Sequence, residues 1–217
     1  MTRSTSARQL LADRVAFLVF DGVLLLEGPS DLIYLDVLTE IAEANGSTGL
    51  DPRWVKTPIG GSGKLSTFVT LLGANKLNVA VLVDSSTKDV GAIQRVRDND
   101  QLARNGLVEI REFTSAADAD VEDLFDRDFY LELVNRAYTN ELTTPITAAD
   151  LNGRDLRIVR QIEAEFKKRN VTACFNHYKP AAVLLREQAA MTPLINPATI
   201  ARAGQLFTRL NSLIPER

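Results

Sequence analysis

The chain is poor in what would tie it to the outside of a cell or to a membrane. A single cysteine, Cys174, leaves no internal disulfide to form and fits a reducing compartment. Its neighbours Ala173 and Phe175 are apolar, so a buried structural thiol is expected. The polar N-terminus has no apolar segment of the kind a secretory signal carries, and no apolar run is long enough to span a bilayer. There is no excess of positive charge. Lys and Arg total 25 against 28 Asp and Glu, a formal net charge of −3, so no global basic field points to nucleic acid. Bound metal ions would add local positive charge and keep that class open. There are no internal repeats and no low-complexity tracts. A soluble cytoplasmic protein is expected. Its 217 residues, 45% hydrophobic, are enough to bury a proper core.

What is present is organised around Val23-Leu24-Leu25-Leu26-Glu27-Gly28-Pro29-Ser30-Asp31. The apolar run does not alternate, which reads as a strand buried on both faces. A carboxylate, Glu27, stands where the strand should end. Gly28 suits a tight turn, and Pro29 suits the first turn of a helix. Asp31 follows in that turn, and the helix runs to about Ala44 before Asn45-Gly46. Glu27 and Asp31 therefore come close together. Two such carboxylates repel unless something cationic lies between them, and a divalent metal is the usual answer. The plainer alternative is a solvated acid followed by a helix N-terminal charge favoured by the dipole.

The same pattern recurs downstream. Trp54–Thr57 reads as a short strand leading into Pro58-Ile59-Gly60-Gly61-Ser62-Gly63-Lys64. This is not a nucleotide-binding phosphate loop, because Pro58 and Leu65 stand where that motif needs a glycine and a Ser or Thr. Positive φ or close packing explains the glycines better, although Gly60, Gly61 and Ser62 could approach a phosphate through their N–H groups. Residues 77–83 form the clearest buried strand and end in Asp84-Ser85-Ser86. Asp84 and Ser86 could cap the next helix, which runs to about Ala103. In open parallel sheets, sites gather at the carboxyl ends of strands, so Glu27 and Asp84 would converge.

Val15–Phe20 is a further apolar run, separated from Gly22–Leu26 only by Asp21-Gly22, a pair that marks a hairpin, a bulge or a break; the first 14 residues read as a polar segment with a short helix. Val108–Phe113 alternates and reads as a strand. The acidic run holding Asp118, Asp120, Glu122 and Asp123 precedes a helix from Leu124 to about Tyr138; acids at a helix start are common for dipole reasons, so most of the run is expected to be solvated, with one or two members able to complete a metal cluster. Polar residues 140–152 mark a boundary, dividing the chain into a core at 1–145 and a helical extension at 146–217. The extension has helical segments at 155–169, 179–191 and 197–213. His177, the only histidine, is expected to be structural. Lys179, before Pro180 at a helix entrance, gains nothing from the helix dipole, which hints at a task. Lys64, Lys167, Lys168 and Arg169 could contact phosphate, although a solvated surface is the expected role for each.

In this order, the Leu-Leu-Leu-Glu27-Gly28-Pro29-Ser30-Asp31 stretch, the Ile59–Gly63 loop, Val-Leu-Val-Asp84, the segment Asp120–Phe125 and His177-Tyr178-Lys179-Pro180 resemble the Toprim domain of OLD-family (overcoming lysogenisation defect) nucleases. The likeness spans about residues 15–190. It implies an α/β fold, Toprim-like (Rossmann-like), with a mostly parallel central sheet flanked by helices and a helical C-terminal extension. It implies a metal-dependent endonuclease acting on DNA with Mg²⁺ or Mn²⁺, two ions in all. Glu27 and Asp31 would hold the first metal, with Glu27 orienting the attacking water. Asp84 would be the shared central ligand, Asp120 or Glu122 would serve the second metal, and Lys179 would stabilise the pentavalent phosphate. Two ions about 3.5–4 Å apart clamp the attacking and leaving oxygens of an in-line displacement.

Two departures stand out. The family pattern has a second aspartate where this chain has Ser86, so Ser86, directly or through water, or Asp89 would have to replace it; a loosely held second metal and a dead site are the other outcomes. The family also carries an ATPase domain ahead of this region, and no Walker motif is present here. The chain then reads as an excised nuclease region or a stand-alone version, with the polar start favouring a monomeric fragment and an ATPase domain as a partner in the full-length protein. A Toprim phosphotransferase of primase or RNA-processing type, and an inactive scaffold, are the alternative functions.

Overall fold

The computed structural model describes residues 22–74, 78–85, 91, 94, 96, 98, 102, 106–151, 153 and 157–215. The segments expected at residues 1–20, the helix expected after Asp84, and Ser86 and Asp89 lie outside or almost wholly outside the described residues.

Four short strands form one all-parallel sheet: β1 (Gly22–Leu26), β2 (Trp54–Pro58), β3 (Asn78–Val83) and β4 (Leu107–Glu109), in the order β2-β1-β3-β4. Leu24 of β1 pairs with Lys56 on one side and Ala80 on the other. Strands of this kind need helical crossovers. Helix α1 (Pro29–Ala44) carries the chain from β1 to β2, and α2 (Leu65–Ala74) carries it from β2 to β3. Then follow α3 (Arg127–Ala137), α4 (Ile158–Lys168), α5 (Tyr178–Arg186), the single turn α6 (Gln188–Met191) and α7 (Pro197–Asn211). This is an α/β, Rossmann-like arrangement. Among the described residues, no helix is long and apolar enough to cross a membrane.

The unbroken apolar runs follow from the layering. Leu24, Leu26, Ala80, Leu82 and Val108 face one core with α1 and the helices after residue 126. Leu25, Val79, Val81 and Val83 face a second core with Ile59, Leu65 and Val69. Both sheet faces are covered, so neither set of side chains can be polar. Each fully buried leucine contributes about 1.5–3 kcal/mol relative to an exposed one.

The larger core runs through the expected boundary near residue 146. Val159, Ile162, Val183, Leu184, Leu206 and Phe207 share it with Leu24, Tyr34 and Leu38. α5 and α7 both pack on α1. The helices after residue 146 thus form one layer of the same body.

Three expectations are corrected. The alternating segment Val108–Phe113 is a strand only to Glu109, after which Ile110–Phe113 is a 3-10 turn in which the Glu109 N–H donates to Glu112 Oε1 at 2.8 Å. The helix expected from Leu124 begins at Arg127, because Asp126 caps it by accepting the Asp128 N–H at 3.0 Å. Cys174 is exposed rather than buried. Its segment 171–176 is irregular, and Phe175, not the thiol, packs inward on Tyr138 and Phe166.

Candidate functional site

The carboxyl ends of β1 and β3 bring Glu27 and Asp84 side by side. The Asp84 backbone N–H donates to Glu27 Oε1 at 3.1 Å. The glycine loop closes over the neighbouring edge. Ile59 N–H donates to the Leu26 carbonyl at 3.0 Å and Gly61 N–H to the Glu27 carbonyl at 2.9 Å. Gly60 and Gly61 adopt φ of 73° and 113°, which explains why glycine stands at both. Ser62 begins the short 3-10 turn Ser62–Lys64 that leads into α2.

Gly28 differs from expectation. Its φ of −141° is extended backbone open to any residue, and a Cβ there would meet nothing nearer than Ser30 Oγ at 3.5 Å. Its part is to cap α1: the Gly28 N–H donates to Asp31 Oδ2 at 2.9 Å. Asp31 thus serves as the helix-start acid and also reaches the site. Burial and the nearby Glu122 carboxylate push its proton affinity up to about pKa 6, despite the hydrogen bonds from Gly28 and Ser30.

A second strip of chain carries the other acids. Ser85 and Ala119 exchange two backbone hydrogen bonds, of 2.7 and 3.0 Å, in an antiparallel bridge at the tip of β3. This clamps the turn Val121–Leu124 beside Asp84, whose Oδ1 accepts the Val121 N–H at 3.1 Å. Asp84 is raised well above the usual carboxylate range by burial, with Asp120, Asp31, Glu27 and Glu122 adding repulsion. Asp120 is raised to about 6 by burial and Glu122, against the pull of Arg157, whose Nη1 donates to Asp120 Oδ1 at 3.0 Å. Asp120 and Glu122 are buried, not solvated as expected of the acidic run: Glu122 is 1% exposed and lies 2.8 Å from His177 Nδ1. That hydrogen bond raises the His177 pKa above its ordinary value, although burial opposes it.

A cavity of about 530 Å³ opens over these groups. Glu27, Asp31 and Asp84 line it on one side; Phe175, His177 and Tyr178 line the other. Tyr34 of α1 and Tyr130 of α3, both fully buried, meet edge to face at 6.4 Å, and the Glu122 charge adds to the burial that raises both phenols.

Of the expected site residues, Glu27, Asp31, Asp84, Asp120 and Glu122 are thus brought together, with Gly60 at the cavity. Lys179 is not. Its ammonium donates to Glu141 Oε1 at 2.9 Å and stands 4.4 Å from the centre of the Tyr138 ring. The entrance of α5 turns it towards the loop after α3, and that hydrogen bond raises its pKa.

Sequence reasoning missed three residues. His177 was expected to be structural, yet it lines the cavity. Arg157 neutralises Asp120. Asp123 accepts the Ile158 N–H at 3.0 Å, so it docks the start of α4 on the acidic turn; burial pushes it up to about 7 against its backbone hydrogen bonds. Only the separation of two acids by one residue hinted at different partners.

The acids form an all-oxygen donor set suited to hard divalent cations. The raised proton affinities of Asp31, Asp84 and Asp120 register negative charge crowded at low dielectric. Among the described residues, no three His, Cys, Asp or Glu side chains already converge as a finished metal cluster. Compared with models of known protein families, with curated proteins and with solved structures, the chain matches none.

Proposed function

We propose that this protein is a metal-dependent endonuclease acting on DNA, of the Toprim type found in OLD-family nucleases, with an ATPase domain as its natural partner. One observation carries the reading: Glu27 and Asp84, on adjacent parallel strand tips, share a hydrogen bond at the mouth of a cavity whose acids press on one another. Hard divalent cations, Mg²⁺ or Mn²⁺, match these donors. Bound there, they would supply Lewis-acid stabilisation of the attacking and leaving oxygens of a phosphodiester.

The chain's own residues have distinct parts. Glu27, Asp31 and Asp84 face the cavity and would hold cations. Glu27, fixed by the Asp84 N–H, is placed to orient a water. Asp120 and Glu122 lie deeper, Asp120 held by the Arg157 guanidinium and Glu122 by a hydrogen bond with the His177 ring, and tune the field around Asp84. His177, next to the cavity and hydrogen-bonded to Glu122, can hold a proton there. Lys179 fits the phosphate role only if it leaves Glu141.

The test is nicking of supercoiled plasmid with Mg²⁺, Mn²⁺ or EDTA, comparing wild type with Glu27→Gln and Asp84→Asn, all shown to be folded. Metal-dependent nicking lost in both variants is the expected result. A non-catalytic scaffold is the other outcome the test can reveal; it expects no cleavage with either metal.

A further inference from the structure

The cavity has a polar floor but unequal rims. On one rim stands Tyr178, 49% exposed, the one among four strongly exposed large apolar side chains that lines this cavity. The backbone beneath it is held firmly without using the ring. Asn176 Oδ1 accepts the Tyr178 N–H at 2.8 Å, the Asn176 N–H donates to the Tyr138 hydroxyl at 2.7 Å, and Phe175 stacks on Tyr138 with centroids 5.9 Å apart. Phe175 lines the cavity beside it.

On the Gly60 rim stands Lys64. Its ammonium lies 3.4 Å from the point where a Cβ on Gly60 would sit. Lys64 is exposed, and among the described residues no acid pairs with it. Lys179, by contrast, is engaged with Glu141. The site therefore has an aromatic shelf on one side, an available cation on the other and acids between them.

Resting on the nuclease reading, we propose that the cavity seats one unpaired deoxynucleotide, its base stacked on Tyr178 and its phosphate turned towards Lys64. Stacking on an aromatic face is how proteins hold unpaired bases, and every base offers such a face. A paired base inside a duplex cannot reach the ring unless it leaves the stack. The preferred substrate is therefore single-stranded DNA, or duplex with an unpaired base at the cut.

The experiment uses the full chain in Mg²⁺ with a short single-stranded DNA of phosphorothioate backbone, which resists cleavage, carrying 2-aminopurine as a stacking reporter. Wild type and Tyr178→Phe quench the reporter. Tyr178→Ala loses the quench and binds about 5- to 150-fold more weakly, the range that corresponds to about 1–3 kcal/mol per stacked base. Lys64→Gln keeps the quench and reduces the dependence of log affinity on log salt by about 0.7, as for one lost phosphate contact on a single strand. Lys167→Gln, an exposed lysine of α4 away from the cavity lining, changes neither. If wild type binds and cuts DNA but both variants behave like it, this inference is overturned and the nuclease reading stands. If it favours intact duplex, the inference also fails. Quenching with the RNA equivalent alone overturns the choice of DNA. No binding of any nucleic acid, with no cleavage in Mg²⁺ or Mn²⁺, overturns both.

Discussion

The acids of this site fall into two groups that differ in how their charge is met. Asp31 and Asp84 face the cavity and accept hydrogen bonds from neutral donors: Gly28, Ser30 and Val121. Asp120 and Glu122, one turn of chain away, are buried against Arg157 and His177. Neighbours of like charge thus have opposite needs. The first group is met by neutral hydrogen-bond donors alone; the second is met by a guanidinium and an imidazole. On the proposed function, the difference says where a foreign cation would sit: at the strand tips, with the acidic turn as scaffolding and as a source of field.

The sharpest way to break this comparison is Asp84→Asn. Metal-dependent nicking should fall at least 1000-fold, on the order of 4 kcal/mol of transition-state stabilisation. Without metal, the melting temperature should hold or rise, because the amide oxygen still accepts the Val121 N–H and a disfavoured charge is gone. A large loss of metal-free stability would place Asp84 with the scaffolding acids. Removing a built-in cation should do the reverse. Arg157→Ala should destabilise the fold by about 3–5 kcal/mol, as when a buried pair loses one partner. Asp120→Asn added to it should recover part of that loss, which thermal or urea denaturation of the double variant would read.

Titration sharpens the comparison further. Asp31 and Asp120 near 6, Asp123 near 7 and the raised Asp84 all have folded pKa values above the unfolded value of about 4. Their contribution is complete below about pH 4 and is lost as pH rises through the folded values. His177, also raised, acts in the same direction over a higher range. Glu187, held low by hydrogen bonds from Arg186 and Arg136, acts oppositely and loses its contribution as pH falls below about 4. In EDTA, stability should therefore peak in mild acid, near pH 5, and fall towards pH 8. With Mg²⁺ present the fall should flatten, since the cation favours ionised acids. A melting temperature that climbs steadily from pH 5 to 8 in EDTA would contradict the account. The smallest effect concerns Cys174: its exposed thiol should react with a disulfide reagent in the folded protein, at little cost to the melting temperature.

Much of the frame was legible because burial on both sheet faces leaves an unmistakable apolar run, as at Leu24–Leu26 and Val79–Val83. Tip acids after such runs were legible for the same reason. What escaped depended on contacts distant in sequence. Lys179 looked poised for chemistry by its place at a helix entrance, but Glu141 lies 38 residues away and no local pattern pairs them. His177 and Arg157 are tied to the acidic turn across 55 and 37 residues. Gly28 looked like a turn glycine, since its residue type alone does not reveal that its φ is extended. The expected boundary near residue 146 followed a polar stretch; the helices beyond it return to α1 through apolar faces whose partner the sequence does not name.

The most direct test of the central claim is equilibrium binding of Mn²⁺, read as loss of the free-ion signal in electron paramagnetic resonance, for wild type, Asp84→Asn and Glu122→Gln. The account expects saturable binding by wild type, abolished in Asp84→Asn and only weakened in Glu122→Gln. Absence of binding by folded wild type, or binding that Asp84→Asn leaves intact, would contradict it.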